Sequence, residues 1–292
     1  GILSGVVIAR YAGVEINGGV ALYNSILNML ALLCMLGMNV SLIRMYSDYK
    51  EKSYSLYKLI VKNVLVASTI LSVLIISMLL VFGINLTGEG VFYYLMSGAV
   101  FFFCFTQINM AFMRATVNIS GYASSIFFPS LIRFILILLG VVYFGMKEFP
   151  LYVVFLMPLL TGLVLFVYIK RTFEAKTGEI NITSGSLVKT SLPMMVTESM
   201  YFLISNIDIL MVGYFLGKSD AGVYSVAISL ILVISMIISA IQSFSAPKFS
   251  QLFSEGNTRE LAHLAKKLSS ICTYLILGPA IILFVFGENI LR

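Results

Sequence analysis

The stretch TESMYFLISNIDILMVGYFLG, residues 197–217, would be an ordinary apolar helix but for two carboxylates, Glu198 and Asp208. A carboxylate near the bilayer centre costs about 2.5–3.5 kcal/mol on insertion scales, so each needs a partner or a wet surface to face. On a wet surface, such groups bind cations or accept hydrogen bonds from sugar hydroxyls; in a dry one, they make structural bonds. Ten residues of helix leave the two acids about 80° apart in angle and about 15 Å apart along the axis, so they form no catalytic dyad. Ser205 lies seven residues after Glu198 and Tyr201 seven before Asp208, which gives each acid a polar neighbour on roughly its own face, with Asn206 between. Glu198 suits a cavity role and a structural bond equally. For Asp208, nearer the far end of the run, the structural role leads.

The other polar groups inside apolar runs are one guanidinium and several amides. Arg133, in FPSLIRFILILLG, has no accessible neutral form and must snorkel, pack or find acceptors. Arg10 and Arg114 sit at the ends of apolar runs, where interfacial anchoring is the ordinary role. Asn24 and Asn28 are four apart and share a helix face, either as a polar stripe towards water or as interhelical hydrogen-bond donors. Asn39, Gln107 and Asn109 lie in similar settings. Pro193 either kinks a helix or marks its first turn, while Pro247 ends a span.

The elements that must position these groups follow from composition. The 292 residues are 60% hydrophobic and 11% charged, against about 25% charged in a soluble domain. Apolar blocks of 18 to 25 residues each suffice to cross about 30 Å of hydrocarbon as helix, and no alternating pattern suggests a barrel. The fold class is an all-α polytopic membrane protein. GILSGVVIA, nine apolar residues closed by Arg10, reads as the second half of a cut first helix. Eight fuller spans follow, near 18–43, 58–82, 91–113, 122–145, 149–169, 187–216, 221–246 and 269–288. No charged start with a cleavage site marks a signal peptide, and the stop at Arg292, just after an apolar run, reads as a missing natural C-terminus.

Basic residues orient the spans. Fourteen Lys and Arg fall on one side and four on the other, with Arg133 left inside, which places loops 44–57, 114–121, 170–186 and 247–268 in the cytoplasm. The same bias accounts for the net charge of +6 without nucleic acid and suits an anionic inner leaflet. SDYKEKSYSLYKLIVKN and FSQLFSEGNTRELAHLAKKL mix charge and apolarity at helical spacing, as helices lying on the membrane surface or as extensions of the spans. Cys34, Cys104 and Cys272 have no close-spaced partner, and the one histidine, His263, lies in a charged loop, so no metal site, disulfide framework or cofactor is expected. No GxxxxGK[ST] string offers an ATP site.

Sliding the chain by 204 residues lays ARYAGVEINGGVALY on GYFLGKSDAGVYSVA, pairing Gly13 with Gly217 and Gly18 with Gly222. At the same offset Ser41 meets Ser245, Arg44 meets Lys248, Glu51 meets Glu255 and Lys62 meets Lys266. An even number of helices separates the copies, so they form a parallel repeat about an axis along the membrane normal. Residues 1–175 are then one lobe of six helices with the first incomplete, 176–186 a cytoplasmic inter-lobe loop, and 187–292 part of a second lobe, helices 7 to 9 of twelve or more.

IARYAGVEINGGVALYNSILNMLALLCMLGMNVSLIRMYS resembles the opening of the multidrug/oligosaccharidyl-lipid/polysaccharide exporter superfamily in its polysaccharide-type branch. SLPMMVTESMYFLISNIDILMVGYFLGKSDAGVYSVAISL and SAPKFSQL resemble that branch's seventh and eighth helices. The branch includes O-antigen and teichuronic acid repeat-unit flippases. The resemblance implies two six-helix lobes around a central cavity and a transporter rather than an enzyme. Its implied cargo is an undecaprenyl-diphosphate-linked oligosaccharide, moved across the bacterial inner membrane for surface polysaccharide synthesis by alternating access. Membrane lipids, a coupling H+ or Na+ and polysaccharide biosynthesis proteins are the implied partners. If the run 197–217 lines the cavity, then Glu198, Asp208 and Asn206 face it, as would Asn24 and Asn28. Arg133 could grip the cargo's phosphates with forked hydrogen bonds, and Arg10, by the outer mouth, is a second cargo contact. The alternatives are a cation-coupled multidrug antiporter of the same superfamily and, more remotely, a membrane-embedded polymerase or acyltransferase. The longest loops, about twenty residues with one histidine, argue against the last.

Overall fold

A backbone in hydrocarbon must satisfy its own polar groups, and every regular element among the described residues is a helix. The computed structural model describes residues 2–46, 48–83, 90–116, 119–180, 182–229, 231 and 257–291. In chain order α1 covers Ile2–Val7 and runs into a π-helical turn, Ile8–Ala12; α2 covers Val14–Met35 and α3 Met38–Met45. A single 3₁₀ turn at Lys50–Lys52 leads into α4, Ser53–Val81. Then come α5, Gly90–Ala115, and α6, Ile119–Leu138, which ends in a π turn, Leu139–Tyr143. The series continues with α7, Phe149–Phe173; α8, Ser184–Phe215; α9, residues 218–229; and α10, Thr258–Leu291.

Six of these stretches are long and apolar enough to span a membrane: Val14–Met35, Lys50–Val81, Val91–Ala115, Gly121–Tyr143, Phe149–Phe173 and Ser184–Phe215. They overlap the first six fuller spans expected from hydropathy, although the first of these, 18–43, ends early at Met35. The seventh, 221–246, lies outside the described residues beyond 231, and the eighth falls within α10. The remnant at the N-terminus is a short apolar helix, Leu3–Ala12.

Three details correct or sharpen the sequence reading. The expected span 18–43 is not continuous, because Leu36 (φ 47°) and Gly37 (φ 74°) are left-handed and separate α2 from α3. Pro193 is not a first-turn residue, since α8 starts at Ser184 behind a capping box of Thr183 and Ser186, leaving Pro193 in the interior. The polar stretch after residue 53 extends a span instead of forming a separate surface helix, as does 258–268 in α10. At 29 residues α4 is about 43 Å long, well over the hydrocarbon thickness.

Residues Leu3–Gly222 form one compact unit and Val223–Arg292 a second. In the first, α5 is central, and its buried Val100, Cys104, Ile108, Ala111 and Phe112 follow one helical face. Small and polar residues set the helix crossings, since lipid tails supply no hydrophobic drive between helices. Tyr57 Oη donates to Asn109 Oδ1 at 2.6 Å, and Asn109 Nδ2 donates to the Gly162 carbonyl at 2.9 Å, which ties α4, α5 and α7 together. The loop after α7 is pinned to the start of α4 by Lys52 Nζ on the Glu179 carbonyl (2.7 Å) and the Gly178 amide on Ser55 Oγ (3.0 Å). In the second unit, Asn257 caps α10 by accepting from the Glu260 amide (3.2 Å) and donating to its carboxylate (2.8 Å).

Candidate functional site

Two polar centres stand out in the first unit. One is the seam where α2 and α3 meet α8. The break at Leu36–Gly37 lies against the backbone of α8 at Ser191–Met195, where a Cβ on Gly37 would come within 2.5 Å of the Ser191 carbonyl oxygen and the Met195 nitrogen. Only glycine fits that approach. Pro193 sits at the same level of α8, and its missing N–H frees the Lys189 carbonyl, so two interrupted helices face each other.

Polar bonds line this crossing. Ser191 Oγ donates to Ser41 Oγ at 2.7 Å, and Ser41 in turn donates to Met194 sulfur at 3.3 Å. One turn of α8 further on, Asn39 Nδ2 donates to Glu198 Oε2 at 3.0 Å, while Asn39 Oδ1 is buried without a partner. The half-buried Glu198 therefore finds its partner across the seam. Ser205, the same-face neighbour that spacing offers to Glu198, is exposed and does not take that part; Tyr201, offered to Asp208, is 72% accessible. Asn206 bridges the same seam, accepting from Ser25 Oγ at 3.3 Å. Asp208 is half-buried, and its Oδ1 accepts from the Ile209 amide at 2.9 Å.

At the other end of α2 the repeat becomes visible in space. Gly13 (φ 108°) and Gly217 (φ 98°), equivalent at the offset of 204, are both left-handed breaks followed by a helix. Gly18 packs on Lys218 and Gly222, and Gly222 packs on Val14, where any Cβ would strike backbone. Since Val14 corresponds to Lys218 and Gly18 to Gly222, these contacts are reciprocal, as a twofold axis between the two glycines requires. Asn17 Nδ2 adds a hydrogen bond to the Gly222 carbonyl, at 3.1 Å.

The second centre surrounds Arg133. A cavity of about 190 Å³ between α5, α6 and α7 is lined by Arg133 together with Asn24, Gln107, Ser130 and Thr161, among others. Arg133 Nε is buried without a hydrogen-bond partner, and no Asp or Glu lines the cavity. Two helix-interior prolines border it, Pro129 of α6 and Pro158 of α7. Each leaves the carbonyl four residues earlier, of Ser125 and Val154, without its helical donor, and both residues line the cavity. Thr106 Oγ1 reaches over to the Pro158 carbonyl at 2.6 Å.

The structure thus brings Asn24 and Arg133 into one cavity and sets Glu198 and Asn206 in the seam. The Asn24 and Asn28 amides each donate to the carbonyl four residues before, Val20 (2.7 Å) and Asn24 (2.9 Å). Arg10 is exposed on the π turn after α1. Sequence reasoning did not find Ser191, nor the hydroxyls of Ser130 and Thr161 beside Arg133. The prolines inside apolar runs were the available signal for the cavity.

The family model described as polysaccharide biosynthesis protein matches residues 1–253. The chain belongs to this family. It is a member of the multidrug/oligosaccharidyl-lipid/polysaccharide exporter superfamily and a multi-pass membrane transporter by family. No curated protein matches the chain. Among solved structures it is similar to an inward-facing multidrug resistance MATE family transporter of the MOP superfamily. That match has a TM-score of 0.69 and 14% identity, over 98% of this chain and 70% of the other. It is also similar to the MATE multidrug transporter DinF-BH, solved as a ligand complex, with a TM-score of 0.62 and 20% identity over 98% of this chain and 71% of that one. At such identities the likeness establishes the fold.

Proposed function

We propose that the protein flips an undecaprenyl-diphosphate-linked oligosaccharide across the bacterial inner membrane by alternating access, serving the synthesis of a surface polysaccharide such as O-antigen. The observation that carries this reading is the half-buried Arg133, whose Nε is buried and unsatisfied in a cavity without carboxylates. Such a site favours an anion, because a buried charge is costly until it is paired. A cationic drug, the cargo of the rival antiporter reading, would be repelled there. Family membership agrees with a polysaccharide role. In this proposal residues 1–175 and the chain from 187 form two lobes related by the repeat axis, and the α2/α3–α8 seam is a contact that opens and closes between them. Glu198 is the candidate for binding a coupling H+ or Na+ when the seam parts; Asp208, Asn206, Asn28 and Arg10 are secondary cavity contacts.

Deleting the complete gene in its host and assaying lipid-linked repeat units in each leaflet tests the proposal. Accumulation on the cytoplasmic leaflet is the expected result. Unchanged leaflet distribution combined with heightened sensitivity to cationic drugs would replace it with the antiporter reading.

A further inference from the structure

A crevice of about 440 Å³ lies between α6 and α7, with Met113 of α5 among its walls. Arg133 does not line it, and the crevice takes another face of α6. On that helix Gly121, Ser125, Phe128 and Ile132 fall at steps of four, three and four, which is one helical face. On α7 the walls are Met157, Leu160, Val164 and Tyr168, again one face. Phe128 is 57% and Val164 69% accessible. Apolar side chains left accessible on spanning helices are solvated by lipid tails, which are as apolar as leucine.

Length and level identify the occupant. Gly121 to Ile132 and Met157 to Tyr168 are each 11 residues apart, about 17 Å of helix. The hydrocarbon layer is about 30 Å thick, so the crevice is as deep as one leaflet. Its mouth, at Gly121 and Tyr168, lies at the ends of α6 and α7 that the basic residues place on the cytoplasmic side. Two arginines stand at that level. Arg114, in the last turn of α5, holds its guanidinium 5.9 Å from the centre of the Tyr122 ring, next along α6 to Gly121. Arg171 is exposed and lies one turn beyond Tyr168 on the crevice face of α7. Glu174, the nearest acid to Arg171 along the chain, acts on Tyr54 of α4.

A groove one leaflet deep, apolar along its length and basic at its headgroup end, has the shape and charge of a phospholipid. Basic pockets between spanning helices at the cytoplasmic surface take anionic headgroups, and guanidinium groups bind phosphate oxygens with forked hydrogen bonds. We infer that α5, α6 and α7 form a site for an anionic phospholipid of the cytoplasmic leaflet, one acyl chain between α6 and α7 and the phosphate against Arg114 and Arg171. The chain completes the packing of α6 on α7. The site is independent of what the transporter carries.

The 292 residues contain no tryptophan, so a single introduced one reports on its own surroundings. Phe128→Trp puts the reporter on the crevice wall, and Val73→Trp, at an apolar position of α4 that is 59% accessible, is the bulk-lipid control. Each variant of the full chain, with any tryptophan outside these residues replaced by phenylalanine, is reconstituted into phosphatidylcholine vesicles. Fluorescence quenching by a minor fraction of brominated phosphatidylglycerol is compared with quenching by the same fraction of brominated phosphatidylcholine. One arginine at an anionic headgroup gives about a fivefold preference. The ratio of the two quenching constants should therefore be about five or more for F128W and close to one for V73W. Adding R114Q and R171Q together should bring the F128W ratio down to that of V73W, and each alone part of the way; if the double variant does not run as a single gel-filtration peak, the single variants decide. Ser124→Phe, which fills the crevice, should also lower the ratio at position 128. Equal ratios at positions 128 and 73 would overturn the inference, as would a high ratio untouched by the arginine substitutions. Loss of the preferential quenching on adding equimolar undecaprenyl phosphate would overturn it too, by giving the crevice to a polyprenyl tail.

Discussion

The pairing of Glu198 with Asn39 allows the role of the carboxylate to be separated by magnitude. An interhelical hydrogen bond in a membrane is worth about 0.6 kcal/mol on average and about 1.7 at most, whereas inserting a charged carboxylate costs about 2.5–3.5 kcal/mol. The bond from Asn39, at 3.0 Å, therefore returns less than a charge at the bilayer centre costs, and the residue is a net liability to stability unless water reaches it. Glu198→Gln removes the charge, keeps the shape and adds an N–H that can reach the orphaned Asn39 Oδ1, closing a two-bond amide pair. We expect E198Q to be more stable than the parent by at least one such bond, about 0.6–1.7 kcal/mol. Glu198→Ala loses the bond and the charge together and should change stability little or raise it. Both should impair export if the carboxylate serves coupling. The assays are reversible unfolding in mixed micelles and complementation of a deletion strain at matched expression. Loss of more than about 2 kcal/mol in both variants would make Glu198 a structural strut. Full complementation by E198A would remove it from the mechanism.

Gly37→Ala should be strongly destabilising, because its Cβ would meet backbone atoms at 2.5 Å and its φ of 74° disfavours any side chain; the readout is lower yield of folded protein and a lower Tm. A double-mutant cycle of Ser41→Ala and Ser191→Ala should give a coupling of about 0.6 kcal/mol, and zero coupling would mean that their 2.7 Å contact adds nothing to the seam. Asn109→Leu should cost up to about 1.7 kcal/mol by leaving Tyr57 and the Gly162 carbonyl unpaired in the core, visible as a lower Tm, with export restored at reduced temperature. Gly18→Leu combined with Gly222→Leu should be no worse than either alone in unfolding measurements, since both side chains wedge the same crossing.

The sequence by itself determined the class and the frame. Apolar runs of spanning length, one-sided basic residues and the scarcity of charge follow from the cost of polar groups in hydrocarbon, and those signals are local. The repeat was also legible, since Gly13, Gly18, Gly217 and Gly222 are required wherever the backbone turns left-handed or two helices touch, whatever surrounds them. The tertiary structure alone decided who partners whom. Spacing along α8 offered Ser205 to Glu198, yet the bond comes from Asn39, 159 residues away, because the break at Leu36–Gly37 turns α3 onto that face. Likewise, Arg133 could have snorkelled on sequence grounds. The cavity beside it is lined by Pro129 and Pro158, on helices that meet in space, and no property of either run alone announces that coincidence.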